Sequence, residues 1–265
     1  MSSESGSDAN RTVASAPPPI TLAFDDYDLP GFLSVASRFG MERYGYVATP
    51  NVDGFVRACE DASFLESYSR ATFVLLDSRV AALLFRLVHG IRVPVLPGSD
   101  LTAALLHEVI NPEDRVVLIG STAEQAQTLR ERFSLKHLLH HDPPMGFIHD
   151  SAALEACLRF VEESSPFRFC LIAVGDPQGM IVAHRLALRG RARGLAFNIG
   201  ASIDFITGKQ RRAPRWMQQI ALEWLYRLSS NPRRMASRYL IRGPKILAYV
   251  GKSKILRKPA APNPN

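Results

Sequence analysis

No run of about eighteen uninterrupted apolar residues, the length that crosses a bilayer core, occurs in this 265-residue chain. Cysteine is nearly as scarce. Cys59, Cys157 and Cys170 are odd in number, far apart and set among apolar neighbours, which excludes a disulfide framework and indicates buried thiols in a reducing compartment. Residues 1–19, MSSESGSDANRTVASAPPP, contain neither a basic start nor an apolar stretch, so they read as a disordered tail and not as a secretory leader. The expected location is cytoplasmic, with any membrane contact peripheral. Neither GxGxxG nor a Walker loop occurs, which removes support for a dinucleotide or ATP-hydrolysing site. His137, His140, His141 and His149 cluster loosely without cysteine or a helical HExxH and read as a polar loop, not a zinc site. The acidic pair spaced as DxD, Asp26 and Asp28, precedes the first helix instead of ending an interior strand. No metal or other cofactor is therefore expected.

Charge, by contrast, is abundant and unevenly placed. Residues 209–258 hold fourteen Lys or Arg against the single acid Glu223, a net +13, which leaves −6 for the rest of a chain whose total is +7. A mildly acidic body thus carries a strongly basic end, a pattern suited to a localised anionic partner. Within that end, Pro214 suits a helix start, and Trp216, Ile220, Trp224 and Leu228 recur at i+4 to predict one helical face, stopped by Asn231-Pro232. A second basic segment follows with Arg233, Arg234, Arg238 and Arg242. Guanidiniums grip phosphate in a forked geometry, so the candidate partners are nucleic acid, anionic lipid or a diphosphate substrate. Nucleic acid rests on charge alone, with no reader motif, and is not expected.

Before this end, short apolar runs alternate with helix-like segments: ITLAF, YGYVATP, FVLLD, RVVLIG, KHLLHH, FCLIAVG and GLAFNIG separate stretches such as 51–68, 122–133 and 151–163. The alternation predicts a largely parallel sheet covered by helices on both faces. Ligands in such folds sit beyond the carboxyl ends of the strands. That rule singles out Thr49-Pro50-Asn51, Asp77, Gly120, Gly175-Asp176-Pro177 and Gly200. Asp77 has two readings, the N-cap of the helix starting near Ser78 or a general base whose carboxylate is made more basic by partial burial. Gly98-Ser99-Asp100 leads into a helix whose first turn either caps itself or faces a phosphate. The passage Gly200, Asp204, Gly208, Arg212 must turn sharply and would bring Asp204 and Arg212 to the edge that holds Asp77.

These pieces, in order, resemble the TagA/WecG/CpsF family of bacterial glycosyltransferases. The resemblance is carried by VATPN, Asp77 within LLDSRV, PGSDL from Pro97, PPMGFI from Pro143, AVGDP from Ala173, IGASIDFITG from Ile199 and the long run RAPRWMQQIALEWLYRLSSNPRRMASRYL, and it covers most of residues 45–241. It implies a Rossmann-like α/β body over 20–208 and a basic helical appendage over 209–258, beyond which the Pro-rich run PAAPNPN reads by composition as a second disordered tail over 259–265. The implied reaction is an inverting, metal-independent transfer of an N-acetylmannosamine-like or related sugar from a UDP-sugar to a sugar on a polyprenyl diphosphate, in surface polysaccharide synthesis. Asp77 matches the family's proposed base, and Thr49 and Asn51 its active-site TPN. The appendage is expected to help close the site and to meet the anionic inner face of the membrane, with Arg227, Arg234 and Arg238 in its arginine pattern. Asn51, Asp100, Gly175, Gln178, Gly200, Asp204, Arg212, Arg227, Arg234 and Arg238 are the expected substrate-binding positions, with Asp77 and Thr49 catalytic. Homo-oligomerisation is left open.

One departure stands out. The family's AVGxPxQE would place a glutamine and a glutamate where this chain has Gly179 and Met180, so the amide is either shifted to Gln178 or lost. A catalytically weakened relative, binding a nucleotide-sugar or lipid acceptor within a polysaccharide assembly complex, is the alternative reading.

Overall fold

The computed structural model describes residues 19–260. The two tails expected to be disordered fall largely on residues 1–18 and 261–265, outside the described residues, as do the side chains of Arg215, Gln219 and Arg234. The strands are β1 (Thr21–Asp25), β2 (Tyr44–Ala48), β3 (Phe73–Val74), β4 (Arg115–Ile119), β5 (His137–His141), β6 (Phe169–Ile172), β7 (Gly194–Asn198) and β8 (Lys254–Lys258). The helices of the body are α1 (Leu29–Arg38), α2 (Val52–Glu60), α3 (Ala62–Ser69), α4 (Arg79–His89), α5 (Gly98–Ala104), α6 (Ala123–Phe133), α7 (Ser151–Glu163), α8 (Gln178–Arg189) and α9 (Ser202–Ile206).

Six strands form one parallel sheet in the order β3-β2-β7-β6-β4-β5. Because side chains alternate along a strand, each interior strand feeds two cores. Val117 and Ile119 of β4 and Cys170 and Ile172 of β6 join Phe55, Tyr68, Phe85, Leu158 and Met180 on one side. Val116, Leu118, Phe169 and Leu171 join Phe32, Leu101, Leu129 and Ile203 on the other. The parallel sheet covered on both faces that the alternation predicts, Rossmann-like as the resemblance implies, is thus present. The chain leaves β2 and β6 toward one face, through α2 and α8, and leaves the intervening β7 toward the other, through α9. A crevice opens at the carboxyl ends of such strands, where their polar loop groups face one another. All three cysteines are buried, and burial raises the thiols of Cys59 and Cys157 to about 11 and about 12, which leaves them unreactive packing groups.

His137, His140 and His141 lie on the edge strand β5 and not in a polar loop, and two larger features also differ from the sequence expectation. ITLAF does not enter the main sheet: β1 pairs in parallel with β8, Leu22 opposite Ile255, in a separate two-stranded unit. Its Leu22 and Phe24 are buried and Thr21 exposed, the period-2 pattern of a strand with one wet face. Asp25 fastens it by accepting the Val74 N–H at 2.6 Å. The basic end therefore returns to the body through β8. Second, the i+4 stripe does not make one helix. It splits into α10 (Arg215–Gln219) and α11 (Glu223–Ser230), with Ala221 left-handed between them at φ 61°. Trp216 and Ile220 are 60% and 58% exposed, so no packing partner holds their face in a continuous helix. Asn231-Pro232 does end α11, and α12 (Pro232–Ala236), a wide helical turn over Ser237–Arg242 and α13 (Ile246–Val250) complete the appendage.

Gly194 opens β7 at φ 126°, and a Cβ there would lie 2.1 Å from the Phe167 carbonyl oxygen. Gly194→Ala is expected to destabilise by about 1–3 kcal/mol or more through strain and collision with backbone. A denaturant melt checks this; an unchanged midpoint would mean that β6 and β7 yield at this point.

Candidate active site

The loop after β2 turns polar at the sheet edge. Asn51 caps α2, its Oδ1 accepting the N–H groups of Asp53 and Gly54 at 3.0 and 3.2 Å. Thr49 is buried and its hydroxyl donates to the Asn198 carbonyl at 3.1 Å, tying the ends of β2 and β7 together. Beyond β3, the Asp77 N–H donates to the Pro50 carbonyl at 3.0 Å, so Asp77 is held beside the TPN loop. The cap of α4 is Ser78, whose hydroxyl accepts the Ala81 N–H at 3.2 Å. Asp77 is thereby left out of α4's cap; its Oδ1 instead accepts the Gly98 N–H at 2.9 Å, at the start of α5. Burial raises the Asp77 carboxyl to about 7, against the lowering effects of that hydrogen bond and of the Arg227 and Arg238 charges, with Glu223 adding to the rise.

The other expected positions divide into those gathered near Asp77 and those engaged elsewhere. Arg212 forms an ion pair with Asp100, two residues beyond Gly98, and its Nε is buried without a hydrogen-bond partner. Arg227 accompanies Glu223 at 3.0 Å and lies over the Phe205 ring at 5.3 Å, close enough for its charge to act on Asp77. Asp204 accepts from Gln125 Nε2 at 2.9 Å; Gln125 and Thr122 form the capping box of α6, so this carboxylate braces the α6 start. Gly175 and Gly200 take φ of 74° and 51° in the turns after β6 and β7. Gln178 opens α8, half-buried, whereas Gly179 and Met180 behind it are buried. Asp26 pairs with Arg257 and Asp28 caps α1, and among the described residues no group of three or more His, Cys, Asp or Glu converges as a metal-binding cluster.

Sequence reasoning missed the groups that seat the appendage. Asp53, 4% exposed, lies 3.2 Å from Arg57 Nε on its own helix, 3.2 Å from Arg242 Nη1 and 3.9 Å from Arg238 Nε. Glu60, at the other end of α2, accepts from Lys245 at 2.6 Å and from the Tyr249 hydroxyl at 3.0 Å. An acid in the first turn of a helix, followed by Arg at i+4, ordinarily reads as a dipole partner and a surface pair, which hid Asp53. Asn198 and Tyr68 were also missed, and Asp176 was singled out only as part of the Gly175-Asp176-Pro177 turn, without a role of its own. Burial raises Asp176 from the ordinary carboxylate range, opposed by the Asn198 hydrogen bond and the Arg238 charge. Burial likewise raises the Tyr68 phenol well above its ordinary value, with Asp176 and Asp53 adding to the effect. Arg238 thus acts on Asp77, Asp176 and Tyr68 together, and pairs with Asp53.

No helix among the described residues is long and apolar enough to cross a membrane. The appendage nonetheless exposes Leu240, Ile241 and Leu247 next to its basic residues.

A family model described as the glycosyl transferase WecG/TagA/CpsF family matches residues 19–260. A Bacillus subtilis protein named N-acetylglucosaminyldiphosphoundecaprenol N-acetyl-beta-D-mannosaminyltransferase is similar, 25% identical over 224 residues that cover 82% of this chain and 83% of the relative. A Bacillus spizizenii protein of the same name is 24% identical over 237 residues, 87% of this chain and 89% of the relative.

The raised carboxyl of Asp77 has a consequence for stability. A group whose folded pKa lies above its unfolded value contributes stability that is full below the unfolded pKa and lost as pH rises through the folded one. For Asp77 that window runs from the ordinary carboxylate value of 3.8 to about 7. Asp77→Asn, whose amide oxygen can take over the bond from Gly98, should therefore gain melting temperature relative to the parent as pH rises from 4 to 8. A difference that stays constant with pH would show that Asp77 is not strained by its charge.

Proposed function

The chain belongs to the glycosyl transferase WecG/TagA/CpsF family, and on that premise we propose that it transfers an N-acetylmannosamine-like sugar or related hexose from a UDP-sugar, with inversion and without a metal, to a sugar carried on a polyprenyl diphosphate. The acceptor follows the relatives' names, which specify N-acetylglucosaminyl diphosphoundecaprenol. The product would enter a surface polysaccharide. The observation that carries this reading is Asp77, free of the helix cap it neighbours, held at the strand edge by Gly98 and poised near pH 7.

In this reading, an acceptor hydroxyl oxygen attacks the anomeric carbon while Asp77 takes its proton. The bond from that carbon to the donor phosphate breaks, and its electron pair leaves on UDP. A single displacement of this kind inverts the anomeric centre. Negative charge grows on the departing diphosphate, and Arg212, Arg227, Arg234 and Arg238 are the guanidiniums assigned to it. The unpartnered Nε of Arg212 supports that assignment, because a buried donor without an acceptor is costly until a ligand supplies one. Thr49 and Asn51, engaged with the Asn198 carbonyl and the α2 start, shape the wall beside the base. Exposed Leu240, Ile241 and Leu247 among basic residues support peripheral docking on an anionic membrane, where each basic residue contributes about 1 kcal/mol. The rival reading, a weakened binding partner, draws on Gly179 and Met180, which are buried and present no polar side chain.

The test is transfer by the purified protein from UDP-N-acetylmannosamine to a short-chain polyprenyl-diphosphate N-acetylglucosamine. Asp77→Asn should lower turnover by ~10²-fold or more while UDP binding persists. Because the deprotonated carboxylate is the active form, kcat/KM should rise through pH about 7 and level off above it. Activity should survive excess EDTA. Full turnover by Asp77→Asn would remove it as base; loss on chelation, restored by Mg²⁺, would overturn the metal-free mechanism; UDP binding without release would favour the rival.

A further inference from the structure

The side-chain amide expected on α8 at position 179 is absent, and another amide occupies its space. A Cβ built on Gly179 would lie 2.2 Å from Asn198 Oδ1 and 3.0 Å from Asn198 Cγ. No side chain at 179 can coexist with Asn198 as it stands. Asn198 ends β7 and is 5% exposed. Its Nδ2 donates to Asp176 Oδ1 at 2.6 Å, its backbone carbonyl accepts from Thr49, and its Oδ1 is buried without a hydrogen-bond partner. The Tyr68 hydroxyl, on a side chain 1% exposed, is also unpartnered and lies within the electrostatic reach of Asp176, Asp53 and Arg238. Asp176 is half-buried, unlike Asn198 and Tyr68, and lies in the turn between β6 and α8, beyond the carboxyl end of its strand.

We infer that Asp176, oriented by Asn198 in the space Gly179 leaves open, is a substrate-contacting residue that accepts a hydrogen bond from a hydroxyl or amide N–H on a substrate sugar ring. The inference rests on the proposed glycosyl transfer and adds the residue that chooses among sugars. A glutamine amide both donates and accepts, whereas the Asp176 carboxyl, which already accepts from Asn198, offers chiefly acceptor oxygens. The exchange therefore narrows recognition to sugars that present a donor at this point. A site built around such a bond discriminates sharply against analogues that cannot make it. Asn198 is a positioning residue: it aims Asp176 and fastens that aim to the Thr49 loop.

The experiment compares Asp176→Ala, Asp176→Asn, Asn198→Ala, Asn198→Gly, Gly179→Gln and the pair Gly179→Gln with Asn198→Gly, reading kcat and KM for donor and acceptor, melting temperature and UDP binding. Asp176→Ala should lose ~10-fold or more in kcat/KM, expressed chiefly in the KM of one substrate, beyond a modest fall in melting temperature from the Asn198 amide left without its acceptor. Asn198→Ala should move the same KM in the same direction, and Asp176→Asn should fall between Asp176→Ala and the parent. Gly179→Gln alone should lose both melting temperature and activity through collision with Asn198. Combining it with Asn198→Gly should recover both, beyond the activity of Asn198→Gly alone, because the amide then reaches the space from the helix side. A parent protein that transfers sugar while Asp176→Ala keeps its kcat/KM for both substrates overturns this inference alone, as does a pair no more active than Asn198→Gly. A parent protein that neither binds UDP nor transfers sugar sinks the proposed function, and the inference with it.

Discussion

A buried carboxylate needs cations, and Asp53 draws two of its three from nearly two hundred residues away. Arg57 is one turn along the same helix, but Arg238 and Arg242 come from the appendage. Breaking such a pair by removing one partner leaves a desolvated charge uncompensated, which makes the contact strongly position-determining whatever its net contribution to stability. Glu60 repeats the device at the far end of α2, with Lys245 and Tyr249. The basic end is consequently placed over the carboxyl edge of the sheet, and Arg238 is set where its charge acts on both Asp77 and Asp176.

The body and the appendage contribute different things to that edge. The sheet supplies rigid placement: Thr49 binds β2 to β7, Pro50 holds Asp77, and Gly98 supplies the hydrogen bond that keeps Asp77 turned toward α5. The appendage supplies charge, and its continuation into β8 anchors its far end against β1. Two carboxyls, Asp77 and Asp176, then lie within reach of the Arg238 charge with raised basicity, because burial disfavours their charge and despite the arginines that oppose it.

Much of this was legible in the sequence, and for identifiable reasons. Interior strands such as RVVLIG and FCLIAVG are apolar on both faces and punctuated by glycine, so the sheet and the polar loops at its carboxyl edge followed from pattern alone. Asp77 was legible as a strand-end carboxylate, but only the structure separates it from the cap, by giving the capping bond to Ser78. KILRK, three-fifths basic, carried no strand signal because one buried residue, Ile255, is all that holds it to the core. The i+4 stripe from Trp216 to Leu228 misled because periodicity predicts a face without saying whether anything covers it. Asp53 with Arg242, and Gly179 with Asn198, are long-range pairs whose members look ordinary one at a time.

The claim that the Asp53 cluster seats the appendage over the reacting edge is tested most directly by hydrogen exchange on Asp53→Ala, followed in parallel with sugar transfer by the same preparation. Backbone amides of residues 237–250 should exchange faster than in the parent while those of β4, β6 and β7 keep their protection, and transfer should fall by about tenfold or more as the guanidiniums lose their placement. Unchanged protection of those amides, or transfer at the parent rate while they exchange freely, would contradict the claim.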